Sequence, residues 1–129
     1  MHFKIDIYDE INLIVVHAEG HFDAVRWSQM LYDDVRPFIE KHANVPVYLI
    51  TDYTQITVDF PEFIQFMKDL KARRKGQSVS NLQQFLVGDN EKWLNNFRNI
   101  YLKQFNETLG LFDNIDDAIQ YVRDDFEKK

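Results

Sequence analysis

The segment Val45-Pro46-Val47-Tyr48-Leu49-Ile50-Thr51-Asp52-Tyr53-Thr54 decides the fold. It is uncharged until Asp52, and a polar turn separates it from the helical pattern that opens at Asp59-Phe60-Pro61-Glu62. A short apolar run of this kind is typical of a buried parallel strand that leads into a helix. Ligands and partners of open α/β sheets bind beyond the carboxyl ends of the strands. We therefore expect functional residues between Asp52 and Asp59.

Two strands are predicted before this segment. Phe3, Ile5 and Ile7 alternate with polar residues, which is typical of an edge strand with one face in water. The run Leu13-Ile14-Val15-Val16 is apolar on both faces and belongs in the middle of a covered sheet. We expect the two strands to form a hairpin, with Gly20 ending the second one.

Alternating helices and strands are predicted after the hairpin, because the apolar period changes between 3.6 and 2 along the chain. The predicted strands are 45–51, 82–87 and 109–112, and the predicted helices are 24–42, 60–70, 93–101 and 115–126. One helix follows each strand from the second onward. Right-handed crossovers turn this order into an α/β fold with a mostly parallel five-stranded sheet and about four helices. Periodicity leaves open whether the helices cover one face or both.

Length and composition indicate a single domain, 1–129, because 129 residues with 45% hydrophobic content suffice for one core. The chain has no cysteine, which excludes disulfides, thiolate metal sites and cysteine nucleophiles. Its formal net charge of -6 opposes a nucleic-acid partner, since that affinity comes largely from lysine and arginine. No apolar run reaches membrane-spanning length and the amino terminus alternates in polarity. We therefore expect a cytoplasmic protein without membrane contact.

The element order resembles the STAS domain of anti-sigma-factor antagonists and sulphate transporters, and more closely its divergent SpoIIAA-like relatives. The resemblance covers nearly the whole chain. Its landmarks are Gly20 after the second strand, 50–54 at the end of the third, 59–62 at the start of the second helix, and 111–119 near the carboxyl terminus. It implies a STAS-like regulatory module that binds a partner.

The standard phosphorylation switch of that family is absent. In anti-sigma-factor antagonists the second helix begins with Asp-Ser-Ser-Gly, and a partner kinase modifies a serine there. The matching positions here are Asp59, Phe60, Pro61 and Glu62, which offer no hydroxyl group. Thr54 and Thr57 precede them, but threonines in turns ordinarily bond to the nearby backbone.

Two arrangements of polar residues are candidates for chemistry. His17 and His21 flank Glu19, but Gly20 intervenes and no paired-histidine or cysteine motif occurs, so we expect no metal and no cofactor. Asp52 and Asp59 could form a carboxylate pair for acid-base chemistry. The simpler interpretation is that Asp52 ends a strand and Asp59 caps a helix.

We therefore predict a non-enzymatic binding module that recognises a protein partner, itself or a small apolar ligand. The predicted binding residues are Asp52, Thr54, Thr57, Asp59 and Phe63. The two threonines would form hydrogen bonds, Asp59 would cap or ion-pair, and Phe63 would anchor the partner. The alternative is a small-molecule-binding or acid-base enzyme that uses Asp52 and Asp59 in a cleft at the same loop. A deep polar pocket with perturbed carboxylates would favour that enzyme.

Overall fold

A central sheet of five strands carries the fold in the computed structural model, which describes residues 1–42, 44–73, 81–88, 92–105 and 109–129. The strands are β1 (His2–Tyr8), β2 (Leu13–His21), β3 (Val47–Thr57), β4 (Leu82–Val87) and β5 (Gly110–Phe112). The helices are α1 (Ala24–Met30), α2 (Arg36–Lys41), α3 (Phe60–Arg73), α4 (Lys92–Phe105) and α5 (Ile115–Glu127). A π-helical turn, Leu31–Val35, joins α1 and α2 into one helical stretch. The predicted order of elements is confirmed.

The strands lie in the sheet in the order in which they occur along the chain. β1 and β2 are antiparallel, whereas β2, β3, β4 and β5 pair in parallel, as predicted. Asn12 closes the hairpin in the left-handed conformation with φ 53°, which asparagine tolerates better than most residues. Its side-chain amide donates to the Pro46 carbonyl at 3.2 Å. This bond ties the hairpin turn to the start of β3.

Helices cover both faces of the sheet. Ile14 and Val16 of β2 face a core shared with α1, α2, α3 and α4, whereas Leu13 and Val15 face α5. All four side chains are fully buried, so the continuous apolar run of β2 serves two cores. The placement of helices, which periodicity left open, is therefore two-sided.

α5 covers only part of its face. Asn114 caps it by accepting from the Asp117 backbone N–H at 2.9 Å, and Ala118 and Val122 are buried against the sheet. The Tyr48 hydroxyl donates to Asp125 Oδ2 at 2.7 Å. Burial, then this hydrogen bond, raises the pKa of Tyr48, so the phenol stays protonated. Towards the carboxyl ends of β2 and β3 the same face carries polar residues.

β3 is longer than predicted, and this corrects the expected loop between Asp52 and Asp59. The strand continues to Thr57, and the register passes from His17 opposite Asp52 to Glu19 opposite Gln55. Two residues of β3 therefore face one of β2, which is a β-bulge. The bulge let the pairing continue where the polar sequence predicted a turn.

Gly20 does not end β2, which is a second correction. Its φ of +102° lies in the region that favours glycine, and the backbone continues to pair through Gly20 opposite Ile56 and His21 opposite Thr57. β2 and β3 thus extend together beyond β4, whose pairing with β3 reaches Asp52. Within the ranges the structure describes, no helix has the length and apolar character needed to cross a membrane.

Candidate functional site

Asp6, His17 and Asp52 form a group on the α5 side of the sheet, which we call the histidine cluster. β1, β2 and β3 contribute one residue each, and the strand register places His17 directly opposite Asp52. His17 Nδ1 lies 3.0 Å from Asp52 Oδ2, and His17 Nε2 lies 3.2 Å from Asp6 Oδ2. One imidazole therefore links three neighbouring strands.

Carboxylates engage both ring nitrogens of His17. An ionised carboxylate only accepts hydrogen bonds, so a ring nitrogen must carry a proton to donate to it. Two carboxylates share this one ring. With both nitrogens engaged, the ring is not free to accept a proton from a substrate, as a general base must.

Asp52 is held by its own strand as well as by His17. Its Oδ1 accepts from the Thr54 backbone N–H at 2.9 Å and from the Thr54 hydroxyl at 2.7 Å. Burial opposes ionisation of this carboxyl group, but the Thr54 and His17 hydrogen bonds outweigh it and hold the pKa of Asp52 below its usual range. Asp52 therefore provides an acceptor for the Thr54 backbone N–H in the bulge, and the two Thr54 hydrogen bonds orient the Asp52 carboxylate.

A cavity of about 340 Å³ lies beside the histidine cluster on the part of the sheet that α5 leaves uncovered. Residues of β1, β2 and β3 line it: His2, Phe3, Lys4, His17, Ala18, Glu19, Asp52 and Gln55. The lining combines charged side chains of both signs with a larger share of apolar surface. It would suit a small ligand that has both apolar and polar groups.

A second polar group lies where β2 and β3 end and α3 begins. His21, Thr57, Asp59 and Glu62 form it, and we call it the strand-end patch; all four are exposed. His21 Nδ1 and the Thr57 hydroxyl are 3.0 Å apart, and His21 Nε2 lies 3.8 Å from Glu62 Oε2. The Thr57 carbonyl accepts from the Phe22 N–H at 2.8 Å. The patch thus presents side chains to solvent from a fixed backbone.

Asp59 caps α3, as the simpler interpretation of the sequence predicted. Its Oδ1 accepts from the Glu62 N–H at 3.4 Å, and its carbonyl accepts from the Phe63 N–H at 3.0 Å. Asp59 and Asp52 make separate contacts: Asp59 bonds to the first turn of α3, whereas Asp52 bonds to His17 and Thr54. Each carboxylate therefore has a structural role within its own element.

Phe63 is a core residue, which corrects its expected role as a surface anchor. It is 2% exposed and packs its ring against Phe22, Phe66 and Phe97 at centroid distances of 5.0 to 6.3 Å. The first turn of α3 directs this side chain inward beneath the strand-end patch. The predicted site residues therefore separate into three environments: Asp52 with Thr54, Thr57 with Asp59, and Phe63 in the core.

Sequence reasoning missed Asp6 and Glu62 and gave His17 and His21 only a rejected metal role. The available signal was that His17 follows the apolar run of the second strand and that Asp6 lies on the polar face of the first. The sequence does not show that these two residues and Asp52 are neighbours in the sheet. Among the residues described, the structure contains no group of three His, Asp or Glu side chains arranged to hold a metal ion. The histidine cluster instead directs its two carboxylates at different nitrogens of one ring.

Comparisons with known proteins identify the fold. No protein-family model matches the chain, and no curated protein matches it. A crystal structure of an uncharacterised DUF3478-family protein with a SpoIIAA-like fold, from Shewanella loihica PV-4, superposes with a TM-score of 0.59. It is 12% identical, and the match covers 94% of this chain and 92% of that one. An anti-sigma factor antagonist from Mycobacterium paratuberculosis gives a TM-score of 0.48 at 19% identity, over 95% and 93% of the two chains.

At these identities the likeness concerns the fold alone. The chain has a SpoIIAA-like α/β fold, and the resemblance drawn from its element order is confirmed at that level. Fold does not by itself specify function, which depends on the residues at a site.

Proposed function

We propose that the chain is a non-enzymatic, cytoplasmic STAS-like regulatory module that binds a protein partner through the strand-end patch. One observation carries the proposal: His21, Thr57, Asp59 and Glu62 project from the carboxyl ends of two adjacent parallel strands and the start of a helix. Open α/β sheets bind their partners at this end. The regulatory role is the one that the resemblance of the sequence to STAS domains implies.

The chemistry of the patch suits a polar protein surface. It offers imidazole, hydroxyl and carboxylate groups within a small area, so it can both donate and accept hydrogen bonds. Its internal contacts are exposed, and exposed ion pairs stabilise a fold by about 0–1 kcal/mol. A partner can therefore replace these contacts at small cost.

A triple substitution at the patch tests the proposal. His21→Ala, Thr57→Ala and Glu62→Ala together remove the exposed groups while Asp59 still caps α3 and Phe63 still fills the core. The control is Arg36→Ala with Glu40→Ala, which removes another exposed ion pair at a distant position on α2. Circular dichroism should show the same folded spectrum for both variants and the wild type.

Affinity capture from native cell extract, followed by mass spectrometry, then compares the three proteins. A partner retained by the wild type and by the control, but lost by the triple variant, is the expected result. Equal retention by all three proteins contradicts binding through this patch.

The cavity beside the histidine cluster favours a second function, the binding of a small ligand. Lys4 and Glu19 offer charges of opposite sign, and Phe3 and Ala18 offer apolar surface, around about 340 Å³. Native mass spectrometry of the protein purified from its host should then show a bound small molecule that Glu19→Gln weakens. A spectrum with the bare chain mass alone speaks against this function.

A further inference from the structure

β1 is an edge strand whose outer side is unpaired. It is first in the strand order, and no strand in the described part of the chain bonds to its other edge. An exposed edge offers free N–H and C=O groups to another strand, and proteins commonly block such edges with proline, bulges or isolated lysines. β1 has no proline and pairs with β2 over seven consecutive residues without a break in register. Its one lysine, Lys4, is accompanied on the same strand face by the acidic Asp6, so the edge carries charges of both signs.

The charges on this edge are complementary to themselves. In an antiparallel pair of β1 strands with Ile5 opposite Ile5, Lys4 lies opposite Asp6 of the partner subunit, and the two-fold axis repeats this pair. The same register places Phe3 opposite the partner's Ile7. The Ile7 side chain is 52% exposed in the isolated chain. The register therefore pairs opposite charges on one face and covers an apolar side chain on the other.

The histidine cluster supplies a second reason for this register. Its two carboxylates share one imidazole ring, so acidic groups outnumber the single group of the cluster that can carry a positive charge. Lys4 makes no ion pair in the described part of the chain. It lies on the same strand face as Asp6 but two residues away, a spacing of roughly 7 Å along a strand. Residues directly opposite each other across strands are only about 5 Å apart.

We infer that β1 is a homodimer interface, at which two copies of this chain join antiparallel β1 strands with Ile5 opposite Ile5. The partner's Lys4 pairs with Asp6 and adds a positive charge beside the acidic histidine cluster. The two sheets become one continuous sheet of ten strands. This surface is separate from the strand-end patch, so each copy still presents that patch to another protein.

Sedimentation velocity of the full chain, from low micromolar to near-millimolar concentration, tests the interface. The wild type should show a concentration-dependent monomer–dimer equilibrium. Lys4→Glu should weaken the dimer Kd by at least about tenfold, because the symmetry turns two attractive cross-strand pairs into repulsive ones. Lys103→Glu changes the net charge equally at an exposed position on α4 and should leave the Kd unchanged.

A charge-swap mixture tests the register. Asp6→Lys alone should also be monomeric, because two lysines then face each other at each symmetric pair. In an equal mixture of Lys4→Glu and Asp6→Lys, both cross-strand pairs are again of opposite charge, so a heterodimer should form where each variant alone is monomeric.

The outcomes that overturn the interface are distinct. A wild type that stays monomeric throughout the concentration range rules it out and leaves the edge to a strand of another protein. A dimer that responds equally to Lys4→Glu and Lys103→Glu uses another surface. Circular dichroism and thermal unfolding establish that each variant is folded, and the Lys4→Glu comparison decides the question even if Asp6→Lys does not fold.

Discussion

The histidine cluster and the strand-end patch are built from the same kinds of residue on neighbouring strands, yet their contacts differ. His17 is 30% exposed and bonds to two carboxylates from two other strands. His21 is twice as exposed at 60% and contacts Thr57 at 3.0 Å and Glu62 at 3.8 Å. The first histidine joins strands, and the second faces solvent. The role of a polar residue on a strand therefore depends on how far the packed helices exclude water from its side chain.

The partial reach of α5 explains the difference between the two regions. α5 and the sheet bury the amino-terminal halves of β2 and β3, and the histidine cluster lies at the margin of this cover. Hydrogen bonds are stronger where water is excluded, and unmade ones cost more. The strand-end patch is not buried by α5, so water or a partner can replace the contacts among its side chains. The following predictions test this contrast, beginning with the largest expected effect.

Phe63→Ala should cause the largest loss of stability, about 3–5 kcal/mol, because it leaves a cavity among the buried aromatic rings. Urea unfolding measures the loss. The adjacent Glu62→Ala is the matched control, since Glu62 lies in the exposed patch and should unfold at nearly the wild-type urea concentration. Two equal midpoints would show that Phe63 belongs to the surface rather than to the core beneath it.

His17→Ala should destabilise the fold by about 1–3 kcal/mol, because Asp6 and Asp52 then face each other without their shared donor. His21→Ala is the control and should change stability by no more than about 0.5 kcal/mol, as surface substitutions usually do. Chemical denaturation of the two variants side by side compares the regions directly. Equal losses would remove the distinction between them.

Asp59→Ala should cost about 0.5–1 kcal/mol, because the first turn of α3 loses its capping acceptor. Asp59→Asn keeps an acceptor and should unfold close to the wild type, so this pair separates capping from charge. Thermal unfolding is the measurement. If the two variants are equally destabilised, the charge of Asp59 rather than its cap supports the helix.

Asp52→Asn should make stability less dependent on acidic pH. The pKa of Asp52 is lower in the folded chain than in the unfolded one, so the unfolded state binds the proton more readily. This carboxylate therefore stabilises the fold above about pH 4, its ordinary unfolded pKa, and the contribution is lost as the pH falls through the folded value. Urea unfolding at a series of pH values below neutrality should give a flatter curve for Asp52→Asn than for the wild type. Parallel curves would mean that the His17 and Thr54 bonds do not act on ionised Asp52.

The regular elements were readable from local patterns. β4 has the predicted bounds, Asp23 caps α1 by accepting from the Val25 N–H at 3.0 Å, and Asn114 caps α5; aspartate and asparagine are both favoured at helix amino termini. These features depend on residues within a few positions of one another. Periodicity and capping chemistry act over that range, so a single sequence reveals them.

The length of β3 and the course of β2 could not be read in this way. Polar residues from Asp52 to Thr57 are typical of a turn, and Gly20 is typical of a strand end, but the two segments pair with each other. Pairing supplies backbone hydrogen bonds that local propensity does not anticipate. The predicted loop site therefore became a strand extension, and its residues make separate sets of contacts.

The amino-acid sequence alone determined the order of strands and helices, because hydrophobic period and cap residues are local quantities. The SpoIIAA-like fold followed from the resemblance of that order to a known family. The sequence also determined the lack of a serine at the start of α3, which is a matter of residue identity. Only the tertiary structure decided that His17 meets both Asp6 and Asp52, that β3 continues through the predicted loop, and that Phe63 is buried. These outcomes depend on strand register, on one bulge and on the reach of α5, and each joins residues far apart along the chain.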